Sequence, residues 1–179
     1  MLIPILCGVF VVALIIAGIA IGRRPATFTV SRSTNMAVPP DRAFAQVVDF
    51  HAWMAWSPWE GLDPKSVRTF SGSPSGLGAV YGWDGNAKVG KGIMTITAVQ
   101  PTSHIGITIE FMRPFAATNQ VTFDFVPTDT GCTVTWTMRG NNTFMGKAMS
   151  LFINCEAMIG GPFAQGLAKL KTICETQAS

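Results

Sequence analysis

An amphipathic segment near the C-terminus, from Phe144 to Thr176, constrains the fold of this chain more than any other feature. Apolar residues recur in it at the three- and four-residue spacing of a helix, and most of its charged residues fall between them. Gly160, Gly161 and Pro162 interrupt the pattern. Because proline suits the first turn of a helix but not its interior, we expect a break or kink there, with the second half of the helix starting at Pro162.

The preceding strands explain why such a helix is needed. From Val121 to Arg139, apolar and polar residues alternate with period two, which is typical of strands with one apolar face. That face must be covered, and no other segment outside the apolar N-terminus is long enough to cover it. We therefore expect a sheet that curls around the C-terminal helix, with any cavity between them as the functional site.

Turn residues separate the alternating stretches and predict the order of elements along the chain. A first strand (Thr27 to Met36) is followed by a helix opened by Pro39 and Pro40 and by a corner containing Trp53, Trp56 and Trp59. Six further strands are predicted at Val67 to Gly72, Gly78 to Asp84, Lys91 to Val99, His104 to Met112, Thr118 to Val126 and Thr133 to Arg139. Their short connections imply antiparallel pairing, hence an α+β fold with a sheet of about seven strands.

The alternation also predicts which residues pair across the sheet. Turning at Asp129 and at Pro114 places apolar residues opposite apolar residues on one inner face. The predicted pairs are Phe125 with Val134, Phe123 with Trp136, Val121 with Met138, Ile109 with Val121, Ile107 with Phe123 and Ile105 with Phe125.

One strand allows two arrangements. Pairing Val99 with Ile105 points Thr95 and Thr97 inward as two polar groups. A β-bulge would instead point Met94 and Ile96 inward, and the sequence leaves both open.

The N-terminus predicts a membrane anchor. Residues 1–22 carry no charge and just reach the length that crosses a bilayer as a helix, and Arg23 and Arg24 follow at once. The positive-inside rule then predicts a single-pass protein of the inner (cytoplasmic) membrane, with linker 23–26 and a domain over 27–177 facing the cytoplasm. A cleaved signal peptide is the alternative. Gly18 and Gly22 match a helix-packing pattern that allows a homodimer.

Composition excludes several functions. The net charge of +3 is spread over 179 residues with no basic cluster beyond Arg23 and Arg24, so we expect no nucleic-acid partner. The four cysteines and two histidines have no metal-ligand spacing, and no cofactor motif is complete, so neither a metal nor a cofactor is predicted. No catalytic motif is found. Glu60, Tyr81 and Asp84 are the candidates for polar groups near a cavity mouth, although loop or surface roles are favoured for all three.

Four local motifs carry a resemblance to a known superfamily. They are Pro39-Pro40-Asp41-Arg42-Ala43-Phe44, Asp49-Phe50-x-x-Trp53-x-x-Trp56-Ser57-Pro58-Trp59, Gly76-x-Gly78-Ala79-x-Tyr81-x-Trp83 and Phe163-x-x-Gly166-Leu167-x-x-Leu170-Lys171. With the element order, they resemble bacterial proteins of the START-like, or SRPBCC, superfamily, which includes polyketide cyclases and lipid-transport domains. The resemblance implies a helix-grip fold that holds a hydrophobic or amphipathic ligand between sheet and last helix, and no shared catalytic residues.

These observations define the expected site and three candidate functions. We predict a cavity lined by Thr95, Thr97, Ile107, Ile109, Phe123, Trp136, Phe152, Phe163 and Leu167. The first function is a membrane-anchored module that binds a lipid-like or aromatic small molecule. The alternatives are a cyclase- or dehydratase-like enzyme and a packed scaffold for protein interaction.

Overall fold

The computed structural model describes residues 18–23, 25–141 and 155–176. Residues 18–22 are helical. The elements that follow are β1 (Thr27–Met36), α1 (Pro40–Val48), α2 (Trp53–Trp56), β2 (Val67–Gly72), β3 (Ala79–Asp84), β4 (Lys91–Gln100), β5 (His104–Arg113), β6 (Ala117–Thr128), β7 (Gly131–Asn141) and α3 (Cys155–Thr176). In the part of the chain that is described, no helix is long and apolar enough to span a bilayer. The predicted anchor lies mostly in residues 1–17, outside that part, and it stays a prediction.

All seven strands join one antiparallel sheet in the order β1-β7-β6-β5-β4-β3-β2. This order confirms the predicted α+β architecture and its hairpin connections. β1 pairs with β7 along its whole length, so the first strand lies beside the last one. The connections of the sheet therefore alternate between two ends, and the start of β1 lies at the same end as the β3–β4 and β5–β6 connections.

The register of the sheet follows the predicted faces, with one offset. The β6–β7 pairs are confirmed, including Phe123 with Trp136. The β5–β6 prediction was wrong by two residues, because Ile107 lies opposite Val121 and Ile105 opposite Phe123. A shift of two residues keeps every side chain on its face, so the apolar pattern cannot distinguish the two registers and the turn decides between them.

A bulge in β4 settles which residues point inward there. Ile96 pairs with Ile107 while Ala98 pairs with Gly106, which leaves Thr97 as the extra residue. Ile96 is consequently buried and Thr97 is exposed. The expectation that Thr95 and Thr97 point inward was wrong, and the bulged alternative, with Met94 and Ile96 inward, is the one observed.

Helix α3 runs without interruption from Cys155 to Thr176, with Pro162 inside it. The chain is therefore not broken at residues 160–162, contrary to one of the two expected outcomes, and the alternative of a kink there stays a prediction. Four apolar side chains of one face are buried: Phe163, Leu167, Leu170 and Cys174. The helix packs mainly against β1 and also contacts α1, α2 and β7. Burial of this apolar face outweighs the local cost of proline and glycine, since helical stability in proteins comes mostly from tertiary packing. The predicted residues 144–154 of this helix lie outside the described part of the chain.

Candidate ligand-binding face

Three of the predicted cavity residues, Phe123, Trp136 and Phe163, form a packed aromatic stack. The Phe123 and Trp136 rings stack with centroids 4.8 Å apart, and Trp136 stacks on Phe163 at 3.9 Å. Ile107 and Leu167 are also fully buried. The three aromatic rings therefore fill the space between β6, β7 and α3. The rest of the inner face of the sheet lies to one side of this stack. Phe152 lies outside the described residues.

The Trp corner closes one side of this stack. Trp53 and Trp56 meet both Phe123 and Trp136 edge to face, with centroids between 5.6 and 6.1 Å apart. Their indole N–H groups donate to backbone carbonyls at the end of α1, 2.9 Å from Val47 and 3.1 Å from Gln46. This combination of burial and satisfied polar atoms fits a structural plug of the core.

Trp136 differs from its two neighbours. Its side chain is 2% exposed, and its indole Nε1 has no hydrogen-bond partner within the described structure. A buried donor without an acceptor is rare and costs free energy, so such an atom points to an unseen acceptor, a water or a ligand.

A second part of the inner face lies away from the stack. One row of cross-strand neighbours runs from Tyr81 on β3 through Met94 and Ile109 to Asn119 on β6. All four side chains are at most 8% exposed. At about 4.8 Å between strands, the row is roughly 14 Å long. It presents two apolar side chains between two polar ones.

A group of three polar side chains, the Glu60 cluster, stands at the Tyr81 end of this row. The Tyr81 hydroxyl donates to Glu60 Oε1 at 2.7 Å, and Arg68 Nε donates to Glu60 Oε2 at 2.7 Å. The Glu60 side chain is only 14% exposed. Charge-assisted bonds to both oxygens compensate the desolvation of this carboxylate. Burial and the hydrogen bond to Glu60 raise the pKa of the Tyr81 phenol.

Apolar rings surround the Glu60 cluster. Phe50, Phe70 and Trp83 all lie near the Tyr81 ring, with centroids 5.3 to 6.1 Å away. Trp83 in turn meets Phe111 edge to face at 5.8 Å. The Trp83 ring lies over Gly92, because a Cβ at that glycine would come within 2.5 Å of the indole. A carboxylate, a guanidinium and a phenol thus stand within an otherwise apolar surface.

The remaining polar candidates lie elsewhere. Asp84 is at the end of β3, where it pairs with Lys91 and Arg113. His51 contacts Asp49 at 2.9 Å, and its ring stacks on Phe70 beside a surface depression of about 250 Å³. None of the predicted cavity residues lines that depression. Within the described residues, no group of three metal-ligating side chains comes together.

Sequence reasoning named Tyr81 and Glu60 as candidates, while favouring loop or surface roles for them, and it missed Arg68 and Asn119. Asn119 had a visible signal, since it occupies the inward parity of a strand whose other inward positions are Val121, Phe123 and Phe125. Arg68 had none, because β2 is an edge strand with little apolar alternation.

The fold and the inner face define a helix-grip protein, in which a curved antiparallel sheet holds a C-terminal helix. Residues 27–175 match the family described as polyketide cyclase / dehydrase and lipid transport. The chain belongs to this family. No curated protein matches it.

Solved structures support the fold. A Thermobifida fusca protein is 26% identical, with 82% of this chain and 92% of that chain covered and a TM-score of 0.60. A Chromobacterium violaceum protein is 17% identical, covering 84% and 99%, with a TM-score of 0.58. The di-domain ARO/CYC protein StfQ from the steffimycin biosynthetic pathway is 12% identical, covering 88% of this chain and 53% of its own, with a TM-score of 0.62.

Proposed function

We propose that this protein binds a hydrophobic or amphipathic small molecule along the row from Tyr81 to Asn119. The observation that carries the proposal is the Glu60 cluster, three hydrogen-bonded polar side chains set into an apolar inner face. Small-molecule sites combine such a surface with a few polar groups that fix the orientation of the ligand. Membership of a family that includes lipid-transport proteins supports the same conclusion.

Some of the residues predicted to line the cavity also belong to the site proposed here. Ile109 lies in the row itself, and Met94 takes the inward position expected of a threonine. The stack of Phe123, Trp136 and Phe163 forms the wall on the α3 side, with Ile107 and Leu167 behind it. The unpartnered Trp136 N–H is a donor available to an acceptor on the ligand.

The geometry suggests an elongated ligand with one polar end. A row about 14 Å long suits a fused-ring molecule or part of an acyl chain. Burial yields about 25 cal/mol per Å² of apolar surface, and ordering consumes much of that, so we expect micromolar affinity.

Titration of the purified full-length protein with a naphthalene-labelled fatty acid tests the proposal. We expect saturable binding with a perturbation of tryptophan fluorescence. Ile109→Ala, on the inner face, should weaken binding at least tenfold, whereas its neighbour Thr108→Ala, on the outer face, should not. Tyr81→Phe, which keeps the aromatic ring and removes only the hydroxyl, should also weaken binding. Circular dichroism checks that this variant is folded. Equal affinities of the Ile109 and Thr108 variants would contradict the proposed site.

A cyclase- or dehydratase-like enzyme is the second candidate, and the same cluster favours it. A phenol that donates to a carboxylate can move a proton to or from a bound substrate. Turnover of a polyketide-like substrate that Tyr81→Phe abolishes while the affinity persists would identify an enzyme.

The proposal includes attachment to the inner membrane through residues 1–22, with the domain in the cytoplasm. The uncharged span and the pair Arg23 and Arg24 support it. A homodimer through Gly18 and Gly22 also stays a proposal, and no described atom lies within 4 Å of a Cβ built at either residue.

A further inference from the structure

Exposed apolar side chains gather at the end of the sheet where β1 begins. Nine large apolar residues of the described chain are more than a third exposed, and four of them lie at this end. Leu62 and Val67 are in or next to the loop before β2, while Met112 and Phe115 are at the β5–β6 connection. Phe115 is 59% exposed. Exposed apolar surface rimmed by polar residues is typical of sites that contact a membrane or another protein.

Basic side chains frame these apolar residues. Lys65 and Lys88 are exposed, in the loops before β2 and between β3 and β4, and neither makes an ion pair within the described chain. Lys91 and Arg113 flank them and share one carboxylate, that of Asp84. At the opposite end of the sheet lie Asp49, Asp124 and Asp129. The end of the sheet where β1 begins thus carries Lys65, Lys88, Lys91 and Arg113 against the carboxylates of Asp63 and Asp84, which leaves this end, next to the N-terminal segment, with a positive balance.

The chain between the predicted anchor and the domain is short. Thr27 already pairs with Asn141 at the edge of the sheet, and only residues 23–26 separate it from the uncharged span. Four residues reach at most about 14 Å, so the basic, apolar end of the sheet has to stay close to any bilayer that holds the span.

We infer that this end of the sheet docks on an anionic lipid bilayer, with Phe115 and Met112 in the interfacial region and Lys65 and Lys88 against lipid phosphates. Aromatic and aliphatic side chains bordered by lysines suit the headgroup boundary of an anionic leaflet. Arg68 of the Glu60 cluster is the second residue of β2, which starts at this end, so docking would place the polar end of the proposed ligand site next to the lipid. The inference rests on the proposed anchoring and adds a second contact to it.

Bromolipid quenching in proteoliposomes tests this inference. The full-length protein carries Phe115→Trp or, as a matched control at the opposite end, Leu77→Trp, whose native side chain is 62% exposed. Vesicles contain brominated phosphatidylcholine with phosphatidylglycerol. Relative to the parent protein with its five tryptophans, Phe115→Trp should add emission that the bromolipid quenches at least twofold, and Leu77→Trp should add emission that it leaves unquenched.

Charge dependence supplies the second measurement. In the Phe115→Trp protein, Lys88→Gln should reduce quenching in anionic vesicles towards the level seen in purely zwitterionic ones, whereas Lys169→Gln on the exposed side of α3 should not. Equal quenching at positions 115 and 77, in protein that still floats with the vesicles, would overturn docking and leave the anchor standing. Failure of the full-length protein to float would overturn both.

Discussion

At the scale of single residues, Tyr81 is the most direct probe of the proposed site. It is the only tyrosine in the chain, and burial together with the Glu60 hydrogen bond raises its pKa. The folded protein therefore keeps the phenolic proton to a higher pH than the unfolded chain, which loses it near pH 10. The stability linked to this proton is complete below about pH 10 and falls as the pH rises further.

We predict that tyrosinate absorbance of the folded protein appears well above pH 10, while urea-unfolded protein titrates near 10. Tyr81→Phe should remove the signal and make the alkaline loss of stability shallower. A folded-state titration that coincides with the unfolded one would mean that the Tyr81 hydroxyl is open to solvent.

Trp56 carries the second residue-scale prediction. Its ring is fully buried against Trp53, Phe123 and Trp136, and its indole N–H donates to a backbone carbonyl. Truncation of a buried Trp to Ala costs about 3–5 kcal/mol, a large part of the 5–15 kcal/mol that stabilises a typical domain. Trp56→Ala should therefore lower the urea midpoint strongly, while Leu77→Ala at an exposed position should leave it unchanged. Similar midpoints for the two variants would show that the corner is a surface lid.

At the scale of elements, two adjacent glycines in α3 have different roles. A Cβ on Gly160 would lie 2.0 Å from the guanidinium of Arg32, which pairs with Glu156 at 2.7 Å. Apart from its two chain neighbours and the helix backbone, no described atom lies within 4 Å of a Cβ on Gly161. Alanine in place of a helical glycine gains up to about 1 kcal/mol. Because Pro162 disfavours the helical conformation of a preceding residue that carries a Cβ, we predict that Gly161→Ala stabilises the protein by only part of this amount in urea unfolding, and that Gly160→Ala gains less still.

The ion pair between Arg32 and Glu156 provides a control for the Gly160→Ala prediction. A double-mutant cycle with Arg32→Gln and Glu156→Gln should show a coupling that disappears in the Gly160→Ala background, because the new methyl group displaces the guanidinium. An unchanged coupling would show that α3 and β1 adjust without loss of this contact.

At the scale of the whole molecule, the prediction to be tested is the side of the membrane on which the domain lies. Expressed in a Gram-negative bacterium, the full-length protein should sediment with the inner membrane, because residues 1–22 are uncharged and Arg23 and Arg24 favour the cytoplasmic side. Protease added to intact spheroplasts should leave the domain uncut and should digest it once the membrane is opened. A soluble periplasmic form starting near Ile21 would instead identify a signal peptide.

The sequence by itself determined the element order and, for strands with a clear alternation such as β6 and β7, which side faces the core. Alternation from Val121 to Phe125 and from Val134 to Met138 allows only one inner face, since a slip of one residue would expose every apolar side chain of a strand. The Trp corner and the C-terminal helix were visible for the same reason, because burial of apolar surface is the largest favourable contribution to folding.

Tertiary structure alone decided features in which competing arrangements have similar local energies. Two-residue register shifts keep the same face, so only the β5–β6 turn could pair Ile107 with Val121. The bulge at Thr97 and the unbroken helix through Pro162 depend on packing against neighbouring elements. The Glu60 cluster joins residues from a loop and from two strands, and such directional polar contacts leave no periodic signal along the chain. Hydrophobic burial is encoded by pattern, whereas hydrogen bonds between distant residues are defined only by three-dimensional proximity.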